Sequence, residues 1–111
     1  MIGFFYIMTY YIYILYSACF DKFYIGQSSD VAKRLHLHNT DDKNTFTSKY
    51  RPWELKAVFK VGENRGDALK IERFIKRQKS KSLLIQLIDP NFEPDGRLAQ
   101  LVRVPRGTIR G

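Results

Sequence analysis

Between residues 10 and 26 the chain reads YYIYILYSACFDKFYIG, and successive positions sort into two sets. Paired as a hairpin with Tyr13 opposite Tyr24, the segment sets Ile12 against Ile25, Ile14 against Phe23, Tyr11 against Gly26 and Leu15 against Lys22. One face is then aliphatic and aromatic, as a core requires, and the other carries the tyrosine pair beside a glycine. A slip of one residue would mix the two sets. The turn falls near SACFD.

The period then changes. In QSSDVAKRLHLHN, Ser29 or Asp30 can cap a helix whose Val31 and Leu35 share a face, with Asn39 at its end and TDDKNT as a polar loop. Helical spacing sets Arg34 and His38 one turn apart, on the same side. WELKAVFKV, residues 53 to 61, alternates Trp53, Leu55, Ala57, Phe59 and Val61 with mostly polar neighbours, which predicts a third strand after Pro52. DALKIERFIKRQKS predicts a second long helix with Ala68, Ile71 and Ile75 as the buried stripe, Leu69 and Phe74 at its flanks, and Lys70, Arg73 and Arg77 facing water. Glu72 falls on the border of the apolar stripe. SLLIQLI closes the fold as a short helix.

These elements form one α/β (α+β) domain over residues 9–88, a small three-stranded antiparallel sheet flanked by helices. Residues 1–8 are expected as an N-terminal extension, with Met8 an alternative start. Residues 89–111, rich in proline, glycine and arginine, are expected as a basic, mobile tail. At 111 residues the chain has room for one core and not two.

Composition narrows the partners. Nineteen Lys and Arg against eleven Asp and Glu give a formal charge of +8 and favour polyanions. The single Cys19, expected buried or semi-buried, cannot form an internal disulfide, and with no CxxC or Cys/His cluster a cytoplasmic location is expected. Residues 2–20 are uncharged and long enough to span a bilayer as a helix. Their tyrosines and β-branched residues suit a strand better, and no basic segment precedes them as in a secretion signal, so no membrane association is expected.

YIYIL at 11–15, YIG at 24–26, KRLHLHN at 33–39, TSKYRPWELKAVF at 47–59 and ALKIERFIKRQKSK at 68–81 together resemble the GIY-YIG nuclease family, most closely its small single-domain members. Tyr11 stands where the first signature has glycine. The resemblance implies a small antiparallel three-stranded sheet flanked by helices and metal-dependent hydrolysis of DNA phosphodiester bonds. It implies Tyr13 and Tyr24 as signature tyrosines, Arg34 as the helix arginine, His38 as the histidine after it, and Glu72 as the ligand of one Mg²⁺ (or Mn²⁺).

The residue types suit that chemistry. One carboxylate can hold Mg²⁺ while leaving most of its sites to water and substrate oxygens. A guanidinium forks onto phosphate at any working pH. The base stays open between the tyrosines, which with a usual pKa of about 10 need a neighbouring cation to favour the phenolate, and His38, which ordinarily titrates near about 6.5. Lys33, Lys49, Arg51, Lys79 and Lys81 are candidate phosphate contacts, which position a substrate without reading bases. With no base-reading module, the expected activity is structure-selective or weakly specific cutting of DNA in a repair or recombination setting, with RNA open as a substrate and a protein partner as a source of specificity. Larger family members place an asparagine after the helix that carries the glutamate. This chain has none between residues 65 and 90, only Gln78, Ser80, Ser82 or Gln86. The alternative is therefore a nucleic-acid-binding module of the same fold with little or no activity.

Overall fold

The computed structural model of the protein describes residues 7–43 and 45–109. Most of the expected N-terminal extension, residues 1–6, lies outside the described residues. Strands β1 (Tyr10–Ser17) and β2 (Lys22–Ser28) form the hairpin. Helix α1 (Val31–Thr40), a one-turn helix α2 (Phe46–Lys49) and strand β3 (Glu54–Gly62) follow. Helices α3 (Arg65–Gln78) and α4 (Lys81–Ile88) lead to a short strand β4 (Val102–Val104). The sheet is antiparallel in the order β2-β1-β3-β4.

Both faces are covered, because alternate residues on β1 are apolar on both sides. Ile12 and Ile14 pack with Ala57 and Phe59 against Ala68, Ile71 and Ile75 of α3 and Leu87 of α4. Tyr13 and Leu15 pack on the other face with Val58, Val31 of α1 and Trp53. The stripe on α3 is the one its period predicts, and Lys70, Arg73 and Arg77 are exposed.

Four expectations change. The hairpin register is displaced by two residues, so that Tyr13 faces Gly26, Ile14 faces Ile25 and Leu15 faces Tyr24. An even displacement leaves each residue on its expected face, and it puts the one residue without a side chain under the Tyr13 ring. On β3, Ile14 pairs with Ala57 but Leu15 with Leu55, so Lys56 is the extra residue of a bulge. The bulge sends Trp53 and Leu55 to one face and Ala57, Phe59 and Val61 to the other, where strict alternation put all five together. The sheet has a fourth strand, supplied by the segment expected to be a mobile tail: Val104 pairs with Val58, and Leu98 and Leu101 are each 5% exposed. Arg103 fastens it by donating to the carbonyls of Asp89 and Phe92 at 2.9 and 3.2 Å. Its prolines and glycines mark turns correctly, but two leucines suffice to return the chain to the core. Lastly, Cys19 is exposed in the hairpin turn.

Among the described residues no helix is long and apolar enough to cross a membrane. The uncharged N-terminal run instead contributes β1.

Candidate active site

The site forms where α1, β1, β2 and the loop around α2 meet. Asp30 caps α1, its carboxylate accepting the Lys33 N–H at 3.0 Å. This fixed start aims Arg34 and His38, one turn apart, at the tyrosine face of the hairpin. The far end of α1 is locked by Asn39, whose amide donates to the Trp53 carbonyl at 3.1 Å and accepts the Trp53 N–H at 2.8 Å. The Trp53 indole N–H donates to the Thr47 carbonyl at 2.7 Å, which holds α2 in place.

Tyr13 is 1% exposed. Its ring lies so close over Gly26 that a Cβ there would stand 2.3 Å from the hydroxyl oxygen. That oxygen is 2.9 Å from His38 Nε2, and His38 Nδ1 is 3.0 Å from Thr47 Oγ1. The neighbouring hydroxyls of Tyr13 and Tyr24 raise the Arg34 pKa, Tyr13 most of all. A guanidinium can only donate, so with Arg34 nearby the Tyr13 O–H is directed to His38 Nε2. We therefore assign the His38 proton to Nδ1, where it donates to Thr47.

Burial pushes His38 down to about 4, with the positive charges of Arg34 and Arg51 adding to the effect. The imidazole is thus neutral at physiological pH, and the sequence expectation that it titrates near its ordinary value is not met. Tyr13 moves the other way. Burial pushes it up to about 12, against the opposing pull of Arg34, while the charge of Glu72 adds to the rise. The cation expected to favour a phenolate at Tyr13 is present, but desolvation outweighs it.

Tyr24 is half-buried and stands in front of Tyr13, their ring centroids 6.3 Å apart. With Arg34 and His38 it forms one wall of a cleft of about 320 Å³, faced by Lys43, Phe46 and Thr47. Glu72 comes from the helix on the opposite face of the sheet, at the edge strand β2. Its side chain is 15% exposed and its Oε1 lies 3.1 Å from Lys76 Nζ, one turn along α3. That ammonium also sits 5.7 Å from the Tyr24 ring centroid.

Tyr24, Arg34 and His38 are therefore brought together on the cleft, with Tyr13 behind them on His38, while Glu72 lies off the cleft lining and reaches Tyr24 only through Lys76. Of the basic residues, Lys33, Lys49 and Lys79 are exposed. Lys81 pairs with Asp21. Arg51 is turned inward, donating to the carbonyls of His38 at 2.8 Å and of Asp41, which closes the end of α1. Among the stand-ins for asparagine, Gln78 donates back to the Phe74 carbonyl and Ser80 caps α4. Ser82 and Gln86 are exposed.

Three participants escaped sequence reasoning: Lys76, Thr47 and Phe46. Lys76 was legible only as an i,i+4 partner of Glu72. The one-turn helix bearing Phe46 and Thr47 sits in a polar run, and its signal was the capping box of Thr45 and Ser48.

The donor set admits a hard divalent cation. Among the described residues there is no group of three or more His, Cys, Asp or Glu that could cage a metal. A single carboxylate such as that of Glu72, which does not itself line the cleft, suits Mg²⁺ or Mn²⁺, which complete their shells with water and phosphate oxygens.

A family model described as the GIY-YIG catalytic domain matches residues 9–84. A UPF0213 protein of Limosilactobacillus reuteri (strain DSM 20016) is 36% identical over 85 residues, covering 72% of this chain and 88% of that relative.

Proposed function

Because the chain belongs to the GIY-YIG catalytic domain family, we propose that it is a divalent-metal-dependent endonuclease that hydrolyses phosphodiester bonds in DNA. The observation that carries this reading is the convergence of Tyr24, Arg34 and His38 on the wall of one open cleft, with the Tyr13 hydroxyl 2.9 Å from His38 Nε2 behind them.

In this reading Arg34 binds two oxygens of the scissile phosphate and carries the charge that grows on them during attack. Glu72 would hold Mg²⁺ or Mn²⁺, which supplies further charge neutralisation at the phosphate. Tyr24, on the cleft wall beside Arg34, orients the attacking water and, as the phenolate that the neighbouring guanidinium favours, takes up its proton. Tyr13 and His38 act behind it: the neutral imidazole accepts a hydrogen bond from the Tyr13 O–H, and the Tyr13 oxygen is thereby presented to Arg34. Tyr13 is a positioning residue on this account, and His38 holds it.

Lys33, Lys49, Lys79 and Lys81 contact the DNA backbone, which gives affinity without sequence preference. Cutting is then weakly specific or selective for DNA shape, in repair or recombination, with a protein partner free to choose the target. A reducing compartment such as the cytoplasm suits the single exposed Cys19.

The Lys76–Glu72 ion pair favours a second reading, a binding module in which the lysine satisfies the carboxylate that a metal would need. Labelled linear, branched and single-stranded DNA, and an RNA of the same sequence, incubated with Mg²⁺, Mn²⁺ or EDTA, separate the two. The nuclease cuts at least one DNA with metal and none in EDTA. Retention of every substrate without cleavage hands the protein to the second reading.

A further inference from the structure

Beyond the tyrosine pair the aromatic residues do not stop. Tyr24 and Phe46 lie 6.4 Å apart with rings inclined by only 25°, Phe46 and Tyr50 are 4.9 Å apart, and Tyr50 and Phe20 are 5.4 Å apart. The strip thus runs from the cleft to the hairpin turn. Its outer members are open to solvent, Phe20 at 47% and Phe46 at 46% exposure. The fold does not require this of Phe46. The capping box places it at the first position of α2, and the next residue, Thr47, is the one that turns inward to His38.

The strip is flanked by positive charge. Lys22 Nζ sits 5.6 Å from the Tyr50 centroid and Lys76 Nζ 5.7 Å from that of Tyr24. Lys43 lines the cleft beside Phe46, and Lys49, at the end of α2, is exposed. The acidic member of the cleft wall, Asp41, turns a carboxylate oxygen back to the Lys43 N–H at 3.1 Å. Exposed flat rings interleaved with ammonium groups, continuous with a phosphate-binding arginine, offer π-faces to bases and cations to the backbone that joins them.

We propose that Phe46, Tyr50 and Phe20 form a stacking platform for unpaired bases, so that the site takes an unpaired DNA strand leading into the bond to be cut. The inference rests on the nuclease reading for the position of that bond. A base pair stacked within a duplex cannot use the strip, because its faces are already covered by its neighbours. The platform therefore supplies a preference for flaps, bubbles or single strands that the lysines alone do not.

The test is binding in EDTA, where nothing is cut, of a single-stranded oligonucleotide containing 2-aminopurine and of the duplex of the same sequence. Quenching of the probe on binding is expected for the single strand. Phe46→Ala should weaken single-strand binding about tenfold, the size of one lost base–ring stack. It should leave duplex affinity and the salt slope of binding within about twofold, since no phosphate contact is removed. Phe46→Trp should restore the affinity, and Phe20→Ala, at the far end, should show a smaller loss in the same direction. Equal loss on single strand and duplex, or no loss on either, overturns the platform. So does a dimer in sedimentation that Phe46→Ala dissociates, which would make the strip a contact between two copies. If the wild type cuts DNA while Phe46→Ala binds and cuts single strands normally, the platform fails and the nuclease stands. If nothing is cut but Phe46 still sets the single-strand preference, the nuclease reading fails and the platform stands.

Discussion

Gly26→Ala adds a single methyl group and should damage both stability and activity. The new Cβ would meet the Tyr13 hydroxyl oxygen at 2.3 Å, Cζ at 2.4 Å and Cε1 at 2.8 Å, where ordinary contact begins at 3.4 Å. The ring must withdraw by about 1 Å, and it is 1% exposed with covered neighbours on every side. Withdrawal also carries the hydroxyl beyond reach of His38 Nε2, now at 2.9 Å. Overpacking of this kind costs about 1–3 kcal/mol and a lost buried hydrogen bond about 1 kcal/mol more. The loss of glycine from the unfolded chain offsets about 0.4–1 kcal/mol. A net destabilisation of about 1–3 kcal/mol corresponds to a fall in melting temperature of roughly 4–12 °C for a domain of this size. The assay is thermal unfolding of wild type, Gly26→Ala, Tyr13→Ala and the double variant. With the ring removed, the added methyl group should be harmless or slightly stabilising, so the coupling between the two sites should exceed about 1 kcal/mol. Cleavage below both melting temperatures should fall at least about tenfold in Gly26→Ala, because Arg34 loses its support. If Gly26→Ala is neutral, or costs the same with and without Tyr13, the proposed close approach does not govern this hairpin.

Further outcomes follow from the same geometry. His38 has a folded-state pKa below its unfolded one, so the unfolded chain takes up the proton first as pH falls; the stability it contributes is complete above about pH 6.5 and lost by about pH 4. Unfolding measured across that window should show a slope that His38→Gln reduces, and the pH–rate profile should lack a His38 step near neutrality. Lys76→Met frees the Glu72 carboxylate from its i,i+4 partner, and the Mg²⁺ concentration at half-maximal cleavage should fall about two- to fivefold, the modest effect of a pair whose lysine is half in solvent. Leu101→Ala should cost about 2–4 kcal/mol in denaturant unfolding, whereas a residue on a mobile tail would cost almost nothing.

Periodicity made the three long strands and the long helices legible because each alternates or repeats over many residues. Arg34, His38 and Glu72 could be placed on their helices for the same reason. The hairpin register was not legible: alternation has period two and cannot separate Tyr13 opposite Tyr24 from Tyr13 opposite Gly26. What decides it is the volume of a ring that only glycine admits. The bulge at Lys56 left no trace in composition, since a uniform alternation and one that changes face halfway look alike along a strand covered on both sides. Segment 89–111 misled because prolines and glycines dominate it, while its contribution rests on Leu98, Leu101 and the short β4. Charge states were the least legible of all. Arg34 could be foreseen beside Tyr13, but whether its field or the loss of solvent prevails depends on burial.

The central claim is that this cleft cuts phosphodiester bonds with Glu72 as the metal-holding group. Its most direct test is to measure cleavage and binding on the same labelled DNA, for wild type and Glu72→Gln, across a range of Mg²⁺ concentrations. The account predicts metal-dependent cutting by the wild type, a loss of about a hundredfold or more in the variant, and binding unchanged within about fivefold, because the amide keeps the shape and removes only the charge. Equal cutting by the variant, or binding by both proteins with no cleavage of any substrate, would contradict it.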